Sequence, residues 1–375
     1  MPASRTRQGT ARRTPDRLGP RALNRALLAR QLLLRRSKTA PLAAIEHLLG
    51  LQAQVPNAPY IALWSRLAHF QFDELATLLT ARRVVRLALM RSTIHLVSSA
   101  DCVTLRPLME PVLVRALRGT FGRRLSGVDL EAVAAAGRAV VEAQPRTLGE
   151  LGAALSTQWP ERDPEALSNA VRALVPLVQV PPRGIWGDSG VAASTSAEKW
   201  LGRRVAAKAS IGAMLLRYFG AFGPASVRDA QAWSGLTQLR EVVEELRPQL
   251  RTFTDEDGIE LFDVPEAPRP SGEMDVPPRF LPEFDNVWLG HKDRARVLAA
   301  KPGRELVGSG GFMSGLVLLD GFVAGRWKVA RRQRKATMVI ERFSAAERDT
   351  PALAEEGLRL LRVMATDADE HDVQI

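Results

Sequence analysis

Apolar positions recur at three- and four-residue steps in "RALNRALLARQLLLRR" and "SKTAPLAAIEHLLG", which predicts helices over both stretches. Thr39 with Pro41 in a first-turn position marks a start for the second, and Gly50 marks a stop. "APYIALWSRL" and "FDELATLLTARR" read as further helices. "VVRLALMRSTIHLVSS" is rich in β-branched residues and reads as paired strands broken at Arg91–Thr93. Three helices followed by a β hairpin outline a winged helix. The order repeats in residues 125–200, where "GVDLEAVAAAGRAVVEAQ", "RTLGELGAAL" and "EALSNAVRALVPL" precede a strand and turn in "VQVPPRGIWG". Thr147 and Glu150 have capping-box spacing in the second of these helices. It repeats again in 201–265, with a helix ending at Gly220, a short helix and turn in "FGPASVRDAQAWSGL", and a third helix in "TQLREVVEEL".

Beyond residue 266 proline becomes frequent and short strands follow, with Asp320-Gly321 suited to a tight hairpin turn. A helix is expected from "SAAERDTPALAEEGLRLLRVM", and the acidic "TDADEHDV" reads as a frayed tail. The expected fold class is α+β and mainly helical, with tandem winged helix-turn-helix domains and a C-terminal β-rich, barrel-like domain. The expected units are a disordered basic arm at 1–21, winged helices at 22–124, 125–200 and 201–265, and the β-rich domain at 266–375.

Composition narrows the partners. The 375 residues carry a net charge of +11, which favours a polyanion. A GC-rich coding bias explains abundant arginine equally well, so charge alone does not decide the matter. One cysteine, Cys102, excludes an intrachain disulfide and a cysteine-rich zinc or iron–sulfur site. The five histidines lack metal-ligand spacing, so neither a metal nor another cofactor is expected. No apolar run is long enough for a membrane span, and the basic N-terminus has no apolar region behind it, so a cytoplasmic, nucleoid-associated protein is expected.

Chemistry concentrates in "LGLQAQVPNAPY", where Gln52 and Gln54 flank one alanine after an apolar helix. Two neutral amides at i and i+2 share a side on an extended segment but lie about 200° apart on a helix. From spacing alone they could equally cap a helix end or touch phosphates. Asn57 stands where a helix N-cap would precede "APYIALW". Arg91, Thr93 and His95 alternate in "RSTIH" and would share one strand face, either contacting DNA, supporting the glutamines or forming an ordinary wing. In "LPEFDN", Glu283 and Asp285 are expected to pair with Arg294 or Arg296 rather than to act as an acid pair. "HKDRAR" and "ARRQRK" are candidate phosphate contacts or solvated faces.

The stretch "LGLQAQVPNAPYIALWSRL" resembles the glutamine-pair segment of the AlkZ-like winged-helix DNA glycosylases. "LMRSTIHLVSSAD", "PPRGIWG", "YFGAFGPASVRDAQAW", "LPEFDNVWLGHKDRARVL" and "DGFVAGRW" extend the resemblance over about 45–330. It implies hydrolysis of the N-glycosidic bond of cationic N-alkylated purines in double-stranded DNA, with Gln52 and Gln54 as catalytic residues. Crosslink unhooking is a possibility that the resemblance brings with it. Asn57, Arg91, Thr93, His95, Arg294 and Arg326 are the expected supporting or DNA-contacting residues. The resemblance also implies a hairpin inserted at the lesion, for which the Asp320-Gly321 turn is one candidate. Amides suffice because a purine already carrying positive charge leaves without protonation, and water needs only to be held at C1′. No lysine stands out as a Schiff-base nucleophile, so a monofunctional, monomeric enzyme is expected. The alternative is a winged-helix transcriptional regulator without catalysis.

Overall fold

The computed structural model describes residues 16–188, 190–205, 209–298, 314–343 and 350–375. It is a mixed α+β protein, 45% helical and 19% strand. The first helix runs Pro20–Arg30 and the next Pro41–His47, with Pro41 in its first turn and Leu49 and Gly50 turning left-handed after its end. Thr39 does not cap it; the position before Pro41 is Ala40, with no side-chain cap. Ala58–Arg66 and Phe72–Thr80 complete the first group. The Thr147–Glu150 capping box is present at the start of Leu148–Leu155.

Three sheets organise the chain. Five antiparallel strands run in the order Leu51–Gln52, Ile94–Ser98, Val84–Ala88, Leu177–Gln179, Ser194–Ser196. The units expected at 22–124 and 125–200 therefore share one sheet. A three-stranded sheet follows the helices Ile211–Phe222, Val227–Ser234 and Arg240–Leu246. It includes Asp16–Arg17 in parallel register with Phe253–Thr254. The part of the expected basic arm after residue 15 is thus ordered, because its backbone finds a free strand edge; residues 1–15 lie outside the described residues.

The C-terminal sheet runs Glu370–Gln374, Lys335–Arg342, Phe322–Arg332, Gly315–Leu319, Arg279–Leu281. It is open rather than closed into a barrel, and the helix Thr350–Met364 packs beside it. The expected tail is a strand, pairing in parallel with Lys335–Val339. Its acids meet the basic hairpin: Asp367 bonds Arg331 at 2.7 Å, Asp369 pairs with Arg334, and Asp372 lies 3.5 Å from Lys335. Charge complementarity, invisible to local pattern, holds this end in place. Asp320 and Gly321 form the expected left-handed turn, but the first helix holds it. Asp320 pairs with Arg21 and Arg25, and the Asn24 amide donates to the Gly321 carbonyl at 2.8 Å. This turn is tied to the first helix by these bonds, while the Asp320 side chain stays partly exposed.

One core joins the first helix, Ile211–Phe222 and the central sheet; a second lies between Ala58–Arg66, Phe72–Thr80 and the C-terminal sheet. The segment carrying Gln52 and Gln54 lies where these layers meet, since Leu49 belongs to the first core and Leu51 and Ala53 to the second.

Candidate active site

The site begins with backbone. Gly50 has φ +88°, and a Cβ there would lie 2.5 Å from Val97 Cγ1 and 2.8 Å from the Leu96 carbonyl oxygen. Only glycine lets the chain leave the helix and lie directly on the strand Ile94–Ser98. Leu51 then pairs with Leu96 and Gln52 with His95, and the Ala53 N–H donates to the Ile94 carbonyl at 2.7 Å. The backbone is therefore extended over Leu51–Gln52 and tied down through Ala53, with Gln54 in the bend that follows. A helical arrangement, which would have separated them, is absent.

The two amides differ in environment. Gln52 is 6% exposed, and its Oε1 accepts from Arg91 Nη2 at 2.6 Å. Gln54 is exposed, and its Oε1 accepts from the Ile94 N–H at 3.3 Å. Each carbonyl oxygen keeps a second lone pair and each amide two N–H donors. Among the described residues neither Nε2 makes a hydrogen bond. The pair can hold a water molecule by donation and acceptance but cannot exchange a proton with it.

Arg91 is not on the strand face expected for it. Arg91 and Ser92 have φ of 55° and 60°, in a short 3-10 turn that ends before the strand starts at Ile94. This left-handed pair breaks the alternation that would have aligned Arg91, Thr93 and His95. Such geometry costs on the order of 1–3 kcal/mol per residue and persists only where surroundings fix it. Here Arg91 Nη1 donates to the Trp233 carbonyl, and Arg172 Nη2 donates to the Ser92 carbonyl at 3.0 Å. Gly235 presses on the turn, since a Cβ on it would lie 3.2 Å from Arg91 N. Thr93 Oγ1 donates to the Met90 carbonyl at 3.0 Å, closing the turn. His95 is buried and its Nδ1 hydrogen-bonds the Thr93 carbonyl at 3.0 Å. Burial, reinforced by Arg91, pushes its pKa down to about 3, so the ring is neutral near pH 7.

Two residues outside the expected set hold the segment. Arg86, 2% exposed, donates from Nη2 to the Ala53 carbonyl at 2.8 Å and from Nε to Gln179 Oε1 at 3.2 Å. It thus grips the residue between the glutamines. Burial lowers its pKa to about 10, and Arg183 adds to the shift. Its sequence signal is a lone arginine in the apolar run "VVRLALM". Asn286 Nδ2 donates to the Gly50 carbonyl at 2.8 Å; nothing local marks it.

The remaining expected residues lie elsewhere or act differently. Asn57 occupies the N-cap position of Ala58–Arg66 but makes no side-chain capping bond, its backbone being helical rather than extended. Asp285 pairs with Arg66 rather than with Arg294 or Arg296, through two 2.8 Å bonds between fully buried side chains. Glu283 has no ion-pair partner among the described residues, and burial raises its pKa. Arg294 lies over the Trp288 ring, 4.8 Å from its centroid, and donates to the Trp288 carbonyl. Arg296 is buried and donates to the Pro224 carbonyl, so "HKDRAR" is in part interior. Arg326 pairs in bidentate fashion with Glu341 across the sheet, at 2.8 Å for each bond.

The arginines bordering the glutamines differ from most of those of the interior, Arg106, which donates to the Ala173 carbonyl, being an exception. Buried Arg25, Arg30, Arg66, Arg279 and Arg296 each lie within 4 Å of a carboxylate. Arg86 and Arg91 bond only amide and carbonyl oxygens among the described residues. Burial lowers Arg91 to about 10, with no acidic neighbour opposing the shift. The site is therefore lined by neutral amides and uncompensated cations.

Among curated proteins no sequence matches. A solved structure described as Streptomyces sahachiroi DNA glycosylase AlkZ is similar in fold, with TM-score 0.76 at 19% identity, covering 96% of this chain and 100% of that one. The family model for DNA glycosylase AlkZ-like proteins matches residues 45–363, from the helix before the glutamine segment to the end of the last helix. The chain belongs to the AlkZ-like DNA glycosylase family.

Proposed function

We propose that this glycosylase hydrolyses the N-glycosidic bond of cationic N-alkylated purines of the N7-alkylguanine type in duplex DNA, as a monofunctional enzyme. The observation that carries this reading is that Gln52 and Gln54, two residues apart in a non-helical segment laid on the strand Ile94–Ser98, are anchored by Arg91 and by the Ile94 N–H. Neutral amides cannot protonate a departing base, so the substrate must bring its own positive charge. As the bond to that base breaks, its electron pair goes to the purine, which leaves neutral; the positive charge passes to the sugar, and a water held between the amides adds at C1′ and gives up its proton to solvent. The weakened bond also supplies part of the selectivity against undamaged bases.

The three helical groups at 22–124, 125–200 and 201–265, each followed by strands, are read as winged helices around a duplex channel. Release of free base from a panel of alkylated duplexes, with an interstrand crosslink included, tests the substrate class. Release from none of them would end the reading.

Two expectations arise directly. Arg91→Met lowers the single-turnover rate by about 10²-fold, because it frees the Gln52 carbonyl to rotate away from the reacting geometry. Arg91→Lys does not restore it, since one ammonium cannot reach Gln52 and Trp233 as a fork does. Retained rate in Arg91→Met would remove Arg91 from the site. The second concerns pH. His95 titrates at about 3 and Arg86 and Arg91 at about 10, so the release rate is flat between about pH 5 and pH 9. A bell-shaped profile inside that window would require an acid or base that this reading lacks.

A further inference from the structure

A third uncompensated cation stands next to the left-handed turn. Arg172, in the helix Pro164–Leu174, donates to the Ser92 carbonyl at 3.0 Å. It meets no carboxylate among the described residues. Burial lowers its pKa and no acidic neighbour raises it. It lines an open pocket of about 100 Å³ between this helix and Glu110–Phe121. Its lining combines the polar residues Ser92, Thr120, Asn169 and Arg172 with the apolar Leu117 and Phe121. A guanidinium partly withdrawn from water lacks its counter-charge here, whereas five of the interior arginines have one.

We propose that this pocket is a phosphodiester subsite, which holds one backbone phosphate of the damaged strand beside the lesion. Arginine's fork matches two phosphate oxygens, the hydroxyls of Ser92 and Thr120 add donors, and the apolar part of the lining suits the adjoining sugar. Placement gives the contact its purpose. Ser92 follows Arg91, whose side chain holds Gln52, so one short turn links the bound phosphate to the amide pair. Gripping the backbone there sets the register of C1′ against the water. The inference rests on the glycosylase reading above and adds to it a fixed point on the substrate.

The test uses the full chain and N7-methylguanine duplexes, each carrying a single methylphosphonate at a successive position around the lesion. Competition binding is measured for the wild type, Arg172→Gln and Arg172→Lys, with thermal denaturation of each. One position is expected to weaken wild-type binding about tenfold, the loss of one charge-assisted contact. The same position should leave Arg172→Gln unaffected and still weaken Arg172→Lys, which keeps the charge. Arg172→Gln should also reduce the salt slope of binding by about 0.9. A wild type indifferent at every position, or an equal loss in Arg172→Gln, would overturn the proposal. So would competition by inorganic phosphate beyond that of chloride at equal ionic strength, which would mark a free-anion site instead. Base release from the unmodified-backbone duplex is scored separately. If none occurs, the glycosylase chemistry fails while the methylphosphonate pattern still reports the phosphate contact.

Discussion

Replacing Gln52 and Gln54 together by alanine is expected to slow single-turnover base release from an N7-methylguanine duplex by about 10²–10³-fold, with duplex affinity unchanged. The magnitude is that of losing groups that position or stabilise only the transition state. Affinity should survive if, as proposed, the amides hold the nucleophile and not the backbone, so that their removal affects the rate and not ground-state binding. The two single variants should be unequal. Gln52 is held at 2.6 Å by a guanidinium that is itself fixed to Trp233, whereas Gln54 is exposed with one 3.3 Å bond. Gln52→Ala removes the better ordered partner and should account for most of the loss. Undiminished release from the double variant, at unchanged affinity, would show that the water is held by other groups.

Asp285→Ala is expected to cost about 3–5 kcal/mol of folding stability, the usual penalty for stranding one partner of a buried ion pair. Arg66 and Asp285 are each 0% exposed and joined by two bonds, and Asp285 also caps the helix Asn286–Leu289 through the Val287 N–H at 2.9 Å. Without the carboxylate, Arg66 keeps only the Ala62 carbonyl and a 3.4 Å approach to Gln31. Urea unfolding monitored by tryptophan fluorescence measures the loss. The paired change Arg66→Met with Asp285→Leu should recover most of it, because no charge is then left inside. The site should feel the single change too, since the neighbouring Asn286 ties down the Gly50 carbonyl before Gln52. A loss of under about 1 kcal/mol, the scale of a surface pair, would mean that water reaches Arg66.

The glutamine pair was legible because its geometry is local. Gly50 ends the helix, Ala53 intervenes, and the following apolar strand supplies the edge on which an extended segment can lie. Its supports were not legible in the same way. Arg91 was marked by alternation, yet it reaches Gln52 from a left-handed turn that Trp233, Gly235 and Arg172 stabilise, all more than 80 positions later in the chain or nearly so. Arg86 was not singled out by the apolar run around it, because Ala53 and Gln179, which accept its donors, meet it only in the fold.

Charge pairing shows the same division. Spacing suggested Arg294 or Arg296 for Asp285, and the partner is Arg66, 219 positions away. The acidic end seemed bound to fray, and strand pairing with Arg331, Arg334 and Lys335 alongside holds it. Chain pattern by itself determined where most helices and strands form, which face of each is apolar, and that the segment after Gly50 leaves the helix. Those properties follow from periodicity and capping within a few residues. Only the tertiary structure decided which buried charges find partners, which arginines remain uncompensated beside the amides, and which turn is free to meet a ligand. Ion pairing and packing depend on distance in space, which residues hundreds of positions apart acquire only when the layers close on one another.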